Sequence, residues 1–307
     1  MNEYLKSITN AVNYIETHLT EPITLEEISK VTGFSTFHLH RIFKSITGKP
    51  IMKYVRARKL SSSTRQLLNS KMSLLDIAVE YGFEHQQSYT RAFEHTFGIP
   101  PSFLRKNGTT IPLEPVIDLE KLHAIEEGIL VSPKYIAKTQ FYVTGMLSRV
   151  NHQENYAHGI ANKLAIDFLD NYKIKVPNAI NKNVYIGLIA EDYENGESAL
   201  YIPSVEVSGI SGDRLQEMVT AVVPSRRYAV FKYIGRHSSY LITYQLLADL
   251  YDYIFSKFIW ESGDKKSDSY HFERIDFDLC GDDYCEMEIN IPVSDGYPVD
   301  RIIIKGQ

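Results

Sequence analysis

Gly82-Phe-Glu-His-Gln-Gln-Ser-Tyr-Thr-Arg-Ala-Phe93 is the stretch whose reading decides the fold of the first part of the chain. It follows a short apolar segment, Leu74 to Tyr81, which opens on Ser73 with Asp76 three residues on. A side-chain cap and an acidic partner at that spacing hold the free amides of a helix start. Gly82 can take the positive φ of a tight turn, and a second helix follows. On it Gln86, Gln87, Ser88, Thr90 and Arg91 crowd the N-terminal half, while Tyr89, Ala92, Phe93 and Phe97 can face inward. Gln and Arg each make two hydrogen bonds to base edges in the major groove, so this helix, turn, helix presents a recognition helix.

The same unit occurs earlier. Leu25 to Pro50 repeats Leu74 to Pro100: Ile28 matches Ile77 and Gly33-Phe34 matches Gly82-Phe83 at an offset of 49. From Arg41 onward the offset is 50, so one residue is gained just after the second turn. Thr24 and Glu27 form a capping-box pattern, and the first recognition helix runs from about Thr36 to Ile46, presenting Thr36, Phe37, His40 and Arg41. Ile51 to Leu68 lies between the copies, a helical stretch with Lys53, Arg56, Arg58, Lys59 and Arg65. A connector of this kind can set two reading helices about one DNA turn apart, roughly 34 Å, on one face of the duplex. His38 and His40 lie two apart on a helix, which excludes a shared metal and predicts that both face solvent or DNA.

From about Leu5 to Arg105 the chain resembles the DNA-binding domain of the AraC/XylS regulators, in particular the right-origin-binding-protein-like subgroup. The motifs that carry the resemblance are Gly33-Phe-Ser-Thr-Phe-His-Leu-His-Arg-Ile-Phe-Lys44, Tyr54-Val-Arg-Ala-Arg-Lys-Leu60, Asp76-Ile-Ala78, the opening stretch, and Gly98-Ile-Pro-Pro-Ser-Phe103. The resemblance implies that the first helix reads bases from Phe37, His40 and Arg41, and the second from Gln86, Gln87, Ser88, Thr90 and Arg91. Phe37 stands where close relatives often carry Trp, and His40 where they carry Gln. Double-stranded DNA is the implied partner, with RNA polymerase as a protein partner.

The charge balance agrees. Residues 1 to 107 hold 14 Lys and Arg against 9 Asp and Glu, a net of +5, and the remainder hold 19 against 29, a net of −10. Phosphate attraction requires the basic part to be the one with the reading helices. No apolar run is long enough to span a bilayer. The first twenty residues read as an amphipathic helix, with Leu5, Ile8, Val12, Ile15 and Leu19 spaced 3, 4, 3 and 4, rather than as a leader. The expected location is cytoplasmic, in a bacterium and at the nucleoid, with no membrane partner. Cys280 and Cys285, without nearby His, are too few for zinc and read as free thiols at a hairpin end. No cofactor or metal is expected.

Residues 1–107 form the expected DNA-binding domain, 108–131 a linker marked by Gly108, Pro112 and Pro115, and 132–307 a second domain. Within the linker, Asp118 to Glu127 adds a short helix or strand. The second domain alternates strands and helices in two rounds. Lys134 to Val150 reads as strands, Glu154 to Tyr172 as a helix, and Val184 to Ala190 with Ala199 to Val207 as a hairpin around Asn195-Gly196. Met218 to Tyr233, Ser239 to Ile259, and His271 to Leu279 with Glu286 to Val293 repeat that order. The fold class is therefore an all-α double helix-turn-helix domain, then an α+β domain of two β-α-β-β repeats, its curved antiparallel sheet carrying two helices on one face.

From about Ser132 to Lys305 the chain resembles the gyrase-inhibitor-like effector-binding domain. The carriers are Arg227-Tyr-Ala-Val-Phe-Lys-Tyr-Ile-Gly235, Phe272-Glu-Arg-Ile-Asp276 and Glu288-Ile-Asn-Ile-Pro-Val293. The resemblance implies a groove between the repeats for small, often cationic and aromatic molecules, with a glutamate that falls here on Glu273. Composition suits it: 16 of the 21 Tyr and the single Trp lie after residue 107. Ring faces plus a carboxylate are what a lipophilic cation needs. The candidate walls are Tyr142, Tyr185, Tyr201, Tyr233, Tyr240 and Trp260, each of which can equally be core. Strand alternation puts Glu273 on the face of Ile275, opposite Phe272, Arg274 and Asp276, with Glu191 and Glu288 the next carboxylates to consider. A small-molecule hydrolase with Glu273 as general base, or a drug-sequestering binder, are the alternatives. The chain has no nucleophile elbow, phosphate-binding glycine loop or His-Glu-x-x-His helix, and neither alternative uses the paired reading helices, so the expected protein is a regulator and not an enzyme.

Overall fold

The computed structural model describes residues 3–125, 128–210, 217–258, 265–266, 270–294 and 302–305. The chain divides into two compact units, Glu3–Lys121 and Leu122–Gln307. The first is helical: α1 (Glu3–Thr17), α2 (Leu25–Thr32), α3 (Thr36–Thr47), α4 (Ile51–Asn69), α5 (Leu74–Glu80), α6 (Gln86–Phe97) and α7 (Pro101–Asn107). Both capping boxes form. Thr24 Oγ1 accepts from the Glu27 amide at 3.2 Å while Glu27 accepts from the Thr24 amide at 2.8 Å, and Ser73 and Asp76 do the same ahead of α5. Gly33 and Gly82 sit at φ 72° and 77°, the left-handed region each turn needs.

The two copies bury equivalent residues, with Ile28, Leu39 and Phe43 in the first matched by Ile77, Tyr89 and Phe93 in the second. They differ in what covers them. His38 is buried rather than facing solvent or DNA: its Nε2 pairs with the Tyr4 hydroxyl at 3.1 Å, and its ring meets Phe34 edge-on. Tyr4 belongs to α1, which lies outside the repeat and packs on α2. The second copy has Ser88 at the equivalent position, and Ser88 is exposed.

Helix α4 runs through the unit and buries Tyr54, Val55, Leu60, Ser63 and Leu67. Of its five basic residues, Lys53, Arg56 and Arg65 are exposed. Arg58 instead turns inward to Glu16, with N–O distances of 2.7 and 2.8 Å, and Lys59 is buried. The stretch expected as a linker is split between the units. Residues 108–121 belong to the helical one, where Glu114 accepts from Lys49 Nζ at 2.6 Å, its amide donates to Ser61 Oγ at 2.8 Å, and Arg58 donates to its carbonyl. Gly and Pro stop a helix without freeing the chain, and here they leave a strap tied to the helices through Glu114 and through the Ile117 amide, which donates to the Tyr54 hydroxyl.

The second unit is an antiparallel sheet with helices. Its elements in order are β1 (Leu122–Ile125), β2 (Gly128–Lys138), β3 (Phe141–Gly145), β4 (Ser148–Asn151), α8 (His152–His158), α9 (Ile160–Asp167), β5 (Val184–Glu191), β6 (Ser198–Val207), β7 (Val219–Val223), β8 (Arg226–Gly235), α10 (Tyr244–Asp252), β9 (Lys265–Lys266), β10 (Tyr270–Asp276), β11 (Cys285–Ser294) and β12 (Ile303–Lys305). The strand order is β1-β2-β8-β11-β10-β5-β6-β3-β7-β12, with β4 added to β6 and β9 to β11. The two rounds are thus β3, α8–α9, β5, β6 and β8, α10, β10, β11, and they meet at the β5–β10 pair. The helix expected over Glu154 to Tyr172 is broken at Gly159, whose φ of 61° ends α8. Both α9 and α10 continue into a π-helical turn, Phe168–Tyr172 and Tyr253–Phe258.

Strand alternation sorts the sheet into two cores. On the helix-bearing face Phe168, Leu246, Leu250 and Ile254 pack on Val205, Phe231 and Met287. The other face is closed by strand residues, Phe272 meeting Phe141 and Tyr228 edge-on at centroid distances of 5.4 and 5.3 Å. Phe141 on β3 and Phe272 on β10 have β5 and β6 between them in the sheet, so this contact requires the sheet to curl. Cys280 and Cys285 are thiols and not a disulfide, and burial pushes the Cys285 thiol up to about 12. Among the described residues no helix is long and apolar enough to cross a membrane.

The strap yields a stability prediction. A fragment ending at Lys121 is expected to be more stable than one ending at Asn107 by about 1 to 3 kcal/mol, the worth of a few part-buried hydrogen bonds and an ion pair. Thermal unfolding of the two fragments checks this, and coincident transitions would show the strap to be a bystander.

Candidate functional site

Among the described residues, two places hold the side chains that the sequence singles out. The first is the pair of helices α3 and α6. On α6 Gln86, Gln87, Ser88 and Arg91 are exposed and Thr90 is half-buried, while Tyr89 and Phe93 point into the core. The Tyr89 hydroxyl pairs with Ser63 Oγ of α4 at 2.9 Å, which pins α6 from its inner side. On α3 Thr36, His40 and Arg41 are half-buried and Phe37 is 69% exposed. The Arg41 guanidinium lies over the Phe37 ring, 5.3 Å from its centre. Counting from the helix starts, Phe37 occupies the place of Gln87, so the two helices offer different chemistry from one scaffold.

The second place is a cavity of about 330 Å³ in the sheet-bearing unit. Its floor is the helix face of the β5–β10 pair, with Tyr185, Ile189, His271, Glu273 and Ile275, and its walls include Tyr244, Leu247, Tyr251 and Phe255 of α10 and its π turn. Small residues on the opposite side, Ala161, Ala165 and Ala199, leave the space open. Glu273 is 7% exposed and stands opposite Gly187 in the strand register. A Cβ on Gly187 would lie 3.3 Å from Glu273 Oε2, so the missing side chain is what leaves room for the carboxylate. The Tyr251 hydroxyl donates to Glu273 Oε1 at 2.6 Å, and the Tyr185 and Tyr201 hydroxyls share a hydrogen bond of 2.5 Å beside it. Among the described residues no Lys or Arg lines the cavity, and Glu273 is its one carboxylate. Burial pushes Glu273 up to about 7, against which the Tyr251 hydrogen bond acts in the opposite direction.

Residues 28–107 match the family described as a helix-turn-helix domain, and residues 137–294 match the GyrI-like small molecule binding domain. The chain belongs to the AraC-type regulators with a GyrI-like domain. Relatives agree over the helical unit. The uncharacterized HTH-type transcriptional regulator YbfP of Bacillus subtilis is 39% identical over 102 residues, which is 33% of this chain and 35% of that one. The right origin-binding protein of Escherichia coli K12 is 39% identical over 100 residues, with the same shares. The multiple antibiotic resistance protein MarA of Salmonella typhimurium is 39% identical over 95 residues, 31% of this chain and 75% of that one. The aligned region thus spans about a third of the first two relatives.

Within the GyrI-like domain the expected wall residues divide. Glu273, Tyr185, Tyr201 and Tyr240 line the cavity. Tyr233 does not: it is fully buried in the core and pairs with His237 at 2.9 Å. Tyr142 is half-buried against the core and accepts from Gln140 at 2.9 Å, away from the cavity. Trp260 lies outside the described residues. Tyr251, Tyr244, Phe255 and His271 line the cavity without having been expected there. A signal for three of them exists in the sequence, because Tyr244, Leu247, Tyr251 and Phe255 form their own stripe at helical spacing beside the core stripe Leu246, Leu250 and Ile254.

Its burial makes Glu273 a stability liability above neutral pH. Its value is raised in the folded state from 4.5 to about 7, so the protonated carboxyl is favoured by folding. That contribution is complete below about 4.5 and is lost as pH rises through about 7. Glu273→Gln is therefore expected to stabilise the empty protein at pH 8, by on the order of 3 kcal/mol, and to leave it unchanged near pH 4.5. Melting curves of both proteins across this range test the sign.

Proposed function

We propose that this protein is a sequence-specific DNA-binding transcription regulator whose activity is set by a small lipophilic cation held in the GyrI-like domain. The family supports the DNA-binding half. What supports the specific assignment of base readers is the exposure of Gln86, Gln87, Ser88 and Arg91 on one side of α6, with Tyr89 locked to α4 behind them. Phe37, His40, Arg41 and Thr36 do the same task on α3, and Lys53 contacts the phosphate backbone from α4. RNA polymerase is the protein partner that a regulator of this kind acts on.

The ligand half is carried by Glu273, a buried carboxylate that among the described residues has one hydroxyl donor and no Lys or Arg beside it, inside a cavity lined by aromatic rings. A carboxylate left so in a low-dielectric site is costly, and a bound cation that supplies the missing charge recovers that cost. The rings of Tyr251, Phe255 and Tyr244 offer the faces on which a lipophilic cation rests.

Arg91→Ala is expected to cost about 1 to 3 kcal/mol on a duplex selected by the wild type and to relax preference at one base position. Lys53→Ala is expected to weaken selected and random DNA alike. Equal losses on both duplexes for Arg91→Ala would remove it from the base-reading set.

For the ligand, calorimetry of a biphenyl-bearing cation and a neutral molecule of the same shape is expected to show the cation binding more tightly, a preference abolished by Glu273→Gln. Because the cation needs the ionised carboxylate, its affinity falls below pH 7, approaching about tenfold per pH unit. A neutral ligand that outcompetes the cation in the wild type would remove Glu273 as the charge anchor.

A further inference from the structure

We propose that the cavity selects a lipophilic primary ammonium, R–NH3⁺, over a quaternary cation of the same body; this rests on the reading of Glu273 as the charge anchor. The argument comes from which oxygen atoms are already used. Glu273 Oε1 accepts from Tyr251 at 2.6 Å. Oε2 has no hydrogen-bond partner among the described residues, and it is not among the atoms sealed from the cavity. An ionised carboxylate has about four lone-pair sites, and a single hydroxyl donor fills one of them.

A second oxygen lies on the same side of the strand. The space above Gly187 is bordered by Tyr185 Oη at 3.1 Å and Glu273 Oε2 at 3.3 Å, both measured from where a Cβ would stand. The Tyr185 hydroxyl is within 2.5 Å of the Tyr201 hydroxyl. With Tyr185 as the donor of that pair, its oxygen keeps lone pairs for an incoming N–H. Two acceptors thus converge over the one position on β5 that carries no side chain, and among the described residues no Lys or Arg lines the cavity to satisfy them.

A quaternary ammonium or phosphonium brings charge but no donor. It gives Glu273 Oε2 no donor and leaves the spare lone pairs of Tyr185 Oη unused, and its substituents hold the charge away from the carboxylate. A primary ammonium places N–H groups on both oxygens, and hydrogen bonds between ionised partners are the strong ones. The aromatic and aliphatic walls, Leu247, Tyr251 and Phe255 among them, then take the body of the ligand.

The test uses the full chain at pH 8 with two probes, 4-phenylbenzylammonium and its N,N,N-trimethyl analogue, measured by calorimetry. The wild type is expected to bind the primary ammonium at least tenfold more tightly. Glu273→Gln should collapse that ratio, and Tyr185→Phe should reduce it in part. Should Glu273→Gln fail to fold, Gly187→Ala puts a methyl group against both oxygens and is expected to weaken the primary ammonium more than the trimethyl probe. Equal or tighter binding of the trimethyl probe by the wild type would overturn the selectivity and leave the charge-anchor reading standing. Persistence of the ratio in Glu273→Gln would also overturn it, since size rather than hydrogen bonding would then be responsible. Binding of neither probe would overturn both.

Discussion

The second unit is governed by one buried carboxylate. Glu273 stands on β10 at the pair of strands where the two β-α-β-β rounds meet, and Gly187 opposite it is the reason it fits. In water a carboxylate is held by many solvent dipoles; here, among the described residues, the Tyr251 hydroxyl is its one hydrogen-bond donor. Desolvation therefore acts on it almost unopposed, which is why it sits near neutrality between its charged and uncharged forms. The helices that cover the sheet are arranged around this position rather than over it. Alanines at 161 and 165 on α9 and the aromatic stripe on α10 leave a space between helix and sheet that a packed core would have filled.

In the helical unit the corresponding constraint is α4. Its Lys59 is a buried ammonium whose partners are backbone carbonyls, Glu21 at 2.6 Å and Tyr81 at 3.3 Å. Glu21 lies just ahead of α2 and Tyr81 just ahead of the turn at Gly82, so one side chain ties both helix-turn-helix copies to the same rod. Tyr89 on Ser63 adds a second tie to α6. On the outer side of α6, Gln86, Gln87, Ser88 and Arg91 are exposed, because the inward-facing Tyr89 and Phe93, with α4 behind them, already settle where the helix lies.

Much of this was legible in the residues. Caps at Thr24 and Ser73, the turns at Gly33 and Gly82, and the offset of 49 to 50 define two helix-turn-helix units before any contact is known. The hairpin at Asn195-Gly196 and the alternation in His271 to Asp276 place Glu273 with Ile275 and away from Phe272, as the sheet does. These are local properties, since a hydrogen-bonded cap spans three residues and a strand repeats every two.

Other features had no local trace. His38 is buried because α1 happens to cover the first copy; Lys59 is buried because α4 passes between two loops; and residues 108–121 look like a linker but lie along the helices. Tyr142 and Tyr233 have the same composition signal as Tyr185 and Tyr201, yet they pack outside the cavity. By itself the sequence determined which elements form, the order in which they come and which face of each is apolar. Only the tertiary structure decided which apolar or polar side chain meets which, and so where an opening remains. Periodicity reports the face a side chain takes within its own helix or strand, whereas burial and cavities depend on partners brought together from far apart in the chain.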